Sequence, residues 1–267
     1  MKRFLIVAND EKDIDLSLSR GIADYLTKKG LKTEMLKNDY SGEVPKADVC
    51  LVCGGDGTML RASKQFGSEM PLMGINLGTV GFLTEVEREN VYGAIDRLAA
   101  GDYHIEDRMM IEGTVGEHVH HSVNDIVITR AGFSRIIGLN IYVNDQMLDT
   151  YEADGVIIAT PTGSTGYNLS AGGPIVSPRA KAIVVTPISP HSLSAKSIVY
   201  DASERIRVEI VKKRKTQETE AIVSFDGDPG IPLSAGDCVS AKLSERTVRF
   251  VKLYDTSFYT ILREKLI

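Results

Sequence analysis

The chain has 267 residues, 43% hydrophobic and 25% charged, with a formal net charge of −5. That length allows one large domain or two modest ones and is enough to bury a core. The acidic balance argues against a general nucleic-acid binder, which carries a basic excess, yet leaves room for a nucleotide substrate held by a local basic patch.

No apolar run approaches the ~20 residues that span a bilayer. The three cysteines, an odd number, give no disulfide framework and fit a reducing cytoplasm. The N-terminal apolar run, Phe4 to Ala8, is short and ends at Asn9-Asp10-Glu11, so it reads as a first strand rather than a leader peptide. Ile14, Leu18, Ile22, Tyr25 and Leu26 recur at helical spacing, and Gly30 sits where a helix stop belongs. Lys32 to Leu36 is a second strand and Val49 to Cys53 a third. A glycine loop follows, Gly54-Gly55-Asp56-Gly57-Thr58, and Met59, Leu60, Ala62 and Phe66 then form one face of a helix. Pro71 to Ile75 is a fourth strand, ending in a second glycine-rich turn over Asn76 to Leu83. Val91, Ile95 and Leu98 mark a last helix. Alternating strands and helices imply a parallel sheet covered on both faces, with ligands at the carboxyl ends of its strands, where both glycine turns would lie.

Near Gly101 the pattern changes to short strands: 105–115, 119–129, 138–143, 155–160, 182–186, 205–211, 221–225, 238–243 and 247–252. That reads as an all-β, sandwich-like region. Asn144-Asp145 is placed as a hairpin turn, and 212–220 as a solvated hairpin tip. Phe258 to Leu266 has the pattern of a short amphipathic helix. The expected domains are residues 1–100, α/β; 101–253, β-rich; and 254–267, a helix returning to the first domain.

The glycine loop carries the most chemical information. A strand turning through glycines into a helix presents bare backbone N–H groups at a positive helix end, a phosphate site. Asp56 repels phosphate, so a loop that only holds phosphate gains nothing from it. A loop that must also take a proton from an attacking hydroxyl, or hold magnesium, does. The bland alternative is an aspartate that caps its own helix. A second run, Asp154 to Tyr167, ends a strand at Thr160-Pro161 and continues as small hydroxyl residues and glycines that let a ligand approach the backbone. Asn124-Asp125 interrupts a strand pattern, as a bulge or as a pair aimed at a ligand. Cys50 and Cys53, three apart in a strand, face opposite sides and cannot share a metal. His118 and His120 share a face but lack further ligands.

Together these runs resemble the NAD kinase family in its short bacterial form. The resemblance rests on Gly54 to Thr58, Gly74 to Leu83, Val123 to Ile126, Glu152 to Gly155, Thr160 to Tyr167 and Leu169 to Pro174, in the family's order. The first loop alone also resembles lipid kinases of the diacylglycerol type and 6-phosphofructokinases; the run after Thr160 favours NAD kinase. The resemblance implies transfer of the γ-phosphate of ATP, or of polyphosphate, to the 2′-hydroxyl of the adenosine ribose of NAD, giving NADP. It implies Asp56 as general base, beside Gly57; Asn124 and Asp125 on the adenine side; and Asp154, Thr162, Thr165, Gly166, Tyr167 and Ser170 around the dinucleotide. It further implies magnesium with ATP, a cytoplasmic homodimer or homotetramer, and no nucleic-acid or membrane partner. Three departures stand out: Asn-Asp at 124–125 where Asn-Glu is frequent, Lys196-Ser197 where Arg-Pro is common, and Asp228 where many members have Gln. The cation that supports the γ-phosphate is not readable; Arg61, Lys64 and Lys196 are candidates. The rival readings are a lipid kinase, which would lack the 160–174 pattern, and a non-catalytic dinucleotide sensor, which needs no base.

Overall fold

The computed structural model describes residues 1–78, 81–132, 136–192, 195–211, 221–254 and 257–266. The chain divides into two compact units, Met1–Arg108 with Thr247–Ile267, and Met109–Arg246.

The first unit carries β1 (Arg3–Ala8), α1 (Ser17–Lys28), β2 (Lys32–Lys37), β3 (Val49–Gly54), α2 (Asp56–Phe66), β4 (Leu72–Asn76), β5 (Val86–Glu87) and α3 (Val91–Ala100). Strands β2, β1, β3 and β4 lie side by side and parallel. Strands β1 and β3 are buried almost throughout, as a parallel sheet covered on both faces requires. On one face Phe4, Ile6, Leu51 and Ile75 pack with Ile22 and Leu26 of α1 and Ile95 and Leu98 of α3. Asp13 begins α1 by accepting hydrogen bonds from the N–H groups of Leu18 (3.0 Å) and Ser19 (2.9 Å). Ile14 departs from the expected helical face. It is 74% exposed, because Asp15 and Leu16 take left-handed φ values of 57° and 55° and the helix phase restarts at Ser17.

The second unit is built on β6 (His104–Val115) from Met109 onward, β7 (His118–Ser122), β8 (Asp125–Arg130), β9 (Ile137–Val143), β10 (Gln146–Ala153), β11 (Gly155–Ala159), α4 (Tyr167–Ser170), β12 (Ala182–Ile188), β13 (Ile198–Asp201), β14 (Ile206–Val211), β15 (Ala221–Phe225), β16 (Ile231–Leu233) and β17 (Cys238–Lys252) as far as Arg246. One antiparallel array runs β10-β9-β14-β17, and a second runs β13-β12-β11-β8-β15-β16. Alternate residues of each array face the other: Leu139, Ile141, Val208 and Ile210 of the first pack in one core with Ile126, Ile128, Ile158 and Val223 of the second. This is a sandwich. The opposite face of the second array, Val127, Ile157 and Val184, is covered by Ala171 and Val176. The chain thus joins an α/β region with a parallel sheet to an antiparallel β-sandwich, as the sequence predicts.

Local differences from the sequence expectation have physical causes. The expected strand 119–129 is two strands, β7 and β8, because the intervening backbone N–H groups turn to Asp226. The expected strands 238–243 and 247–252 are one, β17. Between them the buried Ser244 accepts a hydrogen bond from the Arg246 N–H (3.0 Å) and lies 3.0 Å from His121 Nδ1, so no turn is needed. A tail helix, α5 (Phe258–Leu266), is present. The expected hairpin tip at 212–220 lies outside the described residues.

Candidate active site

In the first unit the glycine loop is as the sequence implies: β3 ends at Gly54, Gly55 is extended, and α2 begins at Asp56. Thr58 is buried and accepts a hydrogen bond from Asn9 Nδ2 (2.8 Å), tying the loop to the end of β1. Asp56 does not cap its own helix. Its carboxylate reaches the second glycine run and accepts hydrogen bonds from the N–H groups of Phe82 (2.7 Å) and Leu83 (3.0 Å). A Cβ on Gly81 would fall 1.9 Å from Asp56 Oδ1, so glycine at that position is a condition of the contact. Lys265 of α5 brings its ammonium to 3.9 Å from Asp56 Oδ2. Asp56 is therefore a held carboxylate joining two glycine turns, its side chain about a third exposed. Asn76 shapes the second turn, donating to Gly78 O (3.1 Å) and accepting from Gly78 N–H (3.1 Å). Gly57 and Arg61 line a cavity of about 360 Å³ beside the loop.

In the second unit the predicted residues fall into two groups. Asn124 and Asp125 sit at the β7–β8 break, where the Asp226 carboxylate accepts N–H bonds from Val123 (2.7 Å), Asn124 (2.7 Å) and Asp125 (3.0 Å). The 160–166 turn is fastened to the same place. Thr160 donates its N–H to Asn124 O (2.8 Å) and its hydroxyl to Val123 O (2.5 Å). A Cβ on Gly163 would fall 2.1 Å from Asn124 O. Asp125 itself is 6% exposed, and burial first, then the neighbouring Asp226, push its carboxyl up to about 7. Asp154 pairs with Arg130 at 3.2 Å, and both line a hollow of about 300 Å³ that also includes Tyr167 and Thr129. Thr162 is buried, Thr165 donates to its carbonyl (3.3 Å), and Tyr167 and Ser170 are exposed.

Several organising residues carry no sequence signal of their own. Asp226 acts from a left-handed conformation (φ 51°) across about a hundred residues of chain. Asn168 is fully buried, donates to Ser164 O (3.1 Å) and Pro174 O (3.0 Å), and accepts from the Thr186 hydroxyl (2.6 Å). It fixes the run whose exposed residues the sequence marks. Arg130, Lys12 and Lys265 were likewise not legible. Cys50 and Cys53 are buried core thiols, raised by desolvation. Among the described residues no group of three or more His, Cys, Asp or Glu is placed to hold a metal ion, and no helix is long and apolar enough to cross a membrane.

Residues 43–103 match the family model of the ATP-NAD kinase N-terminal domain, and 123–253 that of the ATP-NAD kinase C-terminal domain. The chain belongs to the ATP-NAD kinase family. It is 42% identical to the NAD kinase of Lachnoclostridium phytofermentans over 99% of both chains. It is also 42% identical to that of Agathobacter rectalis, over 100% of this chain and 99% of the relative. Among solved structures, an Archaeoglobus fulgidus NAD kinase in complex with ATP superposes with a TM-score of 0.82 at 26% identity, covering 98% of this chain and 99% of that one. A yeast NADH kinase complexed with NADH gives 0.83 at 24% identity over 99% and 87%, and speaks for the fold alone. Both glycine runs of the first unit lie inside the matched N-terminal segment of the family. The 160–174 run, which a lipid kinase would lack, lies inside the C-terminal one.

Proposed function

We propose that this protein is an ATP-dependent NAD kinase in which Asp56 is the general base. The observation that carries the reading is the Asp56 carboxylate, fixed by two backbone N–H bonds between two glycine turns, in a chain matched end to end by NAD kinases. Phosphoryl transfer depends mainly on in-line positioning and charge neutralisation, with base catalysis second. The 2′-hydroxyl oxygen of the adenosine ribose forms the new P–O bond at the γ-phosphorus. The bond from that phosphorus to the β-bridging oxygen breaks, ADP leaves, and Asp56 accepts the hydroxyl proton. Magnesium enters as part of the donor, MgATP, since it commonly binds through substrate phosphates and few protein ligands.

Asp56, Gly57, Asn124, Asp125, Asp154, Thr162, Thr165, Gly166, Tyr167 and Ser170 are our proposed dinucleotide contacts. The fastening of the 160–166 turn to Asn124 and the shared hollow of Asp154 and Tyr167 support them. Polyphosphate as an alternative donor, a homodimer or homotetramer, and a cytoplasmic location follow from the family resemblance.

The test is NADP formation from NAD and MgATP, read with an NADP-specific dehydrogenase. Asp56→Asn should lose about 10²–10⁴-fold in kcat, the usual contribution of a general base, while NAD still binds. An unchanged kcat would remove Asp56 from the role. Absence of turnover with NAD binding intact, and with polyphosphate also inert, would favour the dinucleotide-sensor reading.

A further inference from the structure

The cavity beside the glycine loop contains a cation that none of the sequence candidates includes. Lys12 leaves the end of β1 from a turn fixed on both sides. Asn9 donates its N–H to Cys53 O (3.0 Å) and its side-chain amide to Thr58 Oγ1 (2.8 Å). The Lys12 N–H donates back to Asn9 O (3.1 Å). From that base the side chain reaches Gly55 and Gly78. Its ammonium stands 2.7 Å from where a Cβ on Gly55 would be and 3.7 Å from where one on Gly78 would be. No carboxylate pairs with it among the described residues. Arg61 adds a second cation to the same wall. Of the acids that face the cavity, Asp10 is already paired with Lys37 at 2.9 Å, which leaves Glu11 and Asp39 as oxygen donors.

We infer that Lys12 holds the phosphate chain of the phosphoryl donor, a magnesium-bound run of anhydride-linked phosphates, in the 360 Å³ cavity that Lys12 and Arg61 line beside Gly57 and Thr58 of the first glycine turn. An ammonium on a flexible stem is a point-charge phosphate ligand. Side chains are absent from Gly55 and Gly78, so a phosphate can approach both the backbone and the ammonium at once. Glu11 and Asp39 offer hard oxygen ligands of the kind a phosphate-borne magnesium accepts. This inference rests on the kinase reading for its chemistry but not for its test.

Binding of MgATP and of magnesium tripolyphosphate, without NAD, is measured by calorimetry for the wild type, Lys12→Ala and Lys12→Arg. Loss of one charge-assisted contact should weaken both ligands about tenfold or more in Lys12→Ala, and Lys12→Arg should retain most of the affinity. NAD binding should be unaltered in both variants. Equal affinity of wild type and Lys12→Ala for both ligands overturns the inference, as does a wild type that binds neither. A loss confined to MgATP overturns it too, since Lys12 would then be reading the nucleoside rather than the phosphates. A wild type that binds the donors through Lys12 yet makes no NADP supports the inference and overturns the kinase reading instead.

Discussion

Lys265, near the end of the chain, places its ammonium 3.9 Å from Asp56 Oδ2 and 4.3 Å above the ring of Phe82, the residue whose N–H bonds the same carboxylate. Phe82 in turn meets Phe258 at the start of α5, with ring centroids 6.2 Å apart. The tail helix therefore bears on the proposed base through one charge and one aromatic pair. The Lys265 side chain is 26% and that of Asp56 35% exposed, so the ion pair is a partly screened one, worth roughly 0.2–1 kcal/mol. Lys265→Ala should lower kcat by a few-fold, with the KM for NAD unchanged and thermal stability nearly unchanged. Lys265→Arg should restore the rate. Steady-state kinetics on the two variants decide the matter; an Ala variant with wild-type kcat would leave Lys265 with no part in the reaction.

Asp125 gives a pH signature that can be read without activity. Its carboxyl is raised from 3.8 to about 7, by burial and then by Asp226. Below pH 3.8 folded and unfolded chains both keep the proton, and this group contributes no pH dependence. Between 3.8 and 7 the unfolded chain loses the proton while the folded one holds it, so stability falls as pH rises. Above 7 both are ionised and the cost is complete, on the order of 4 kcal/mol at 1.36 kcal/mol per pH unit. Asp125→Asn should abolish this pH dependence. Urea unfolding at about pH 5 and about pH 8, on either side of the raised value, should show the variant losing less stability across that interval than the wild type. Parallel losses in the two proteins would mean that Asp125 titrates normally.

The sequence shows its local geometry and hides its long-range partners. The turn from β3 to α2 was legible because it combines a buried apolar run, glycines and a helical period within a few residues. Asn144-Asp145 was legible for the same reason: both residues take left-handed φ values, 49° and 65°, which that pair tolerates. The break between β7 and β8 was visible as two polar residues, but not its cause, since Asp226 is supplied from β15's far end. Ser244 to Arg246 read as a gap between strands because polar residues resemble a turn, yet nothing there demands a left-handed backbone. Lys12 and Lys265 were hidden for another reason. A lysine on a long flexible stem is most often a solvated surface group, and only its placement over the glycine turns or against Asp56 distinguishes it.

Gly163 and Gly57, both in glycine-rich loops, should respond oppositely to alanine. A Cβ on Gly163 would stand 2.1 Å from Asn124 O, 2.5 Å from Asn124 C and 2.7 Å from Asn124 Cα, all backbone atoms. Neither side can withdraw freely, because Thr160 binds Val123 O and Asn124 O and Asp226 holds the N–H groups behind them. Such overpacking costs about 1–3 kcal/mol or more. For a chain of this size that lowers the melting temperature by several degrees, at roughly 2–4 °C per kcal/mol. Gly57 has nothing within 4 Å of its would-be Cβ and lies in the first turn of α2. Alanine there removes a glycine from a helix, which favours the fold by up to about 1 kcal/mol. Thermal unfolding of Gly163→Ala and Gly57→Ala beside the wild type should therefore give a clear drop for the first and no drop for the second. A Gly163→Ala protein that melts with the wild type would mean that the 160–166 turn is not clamped against Asn124.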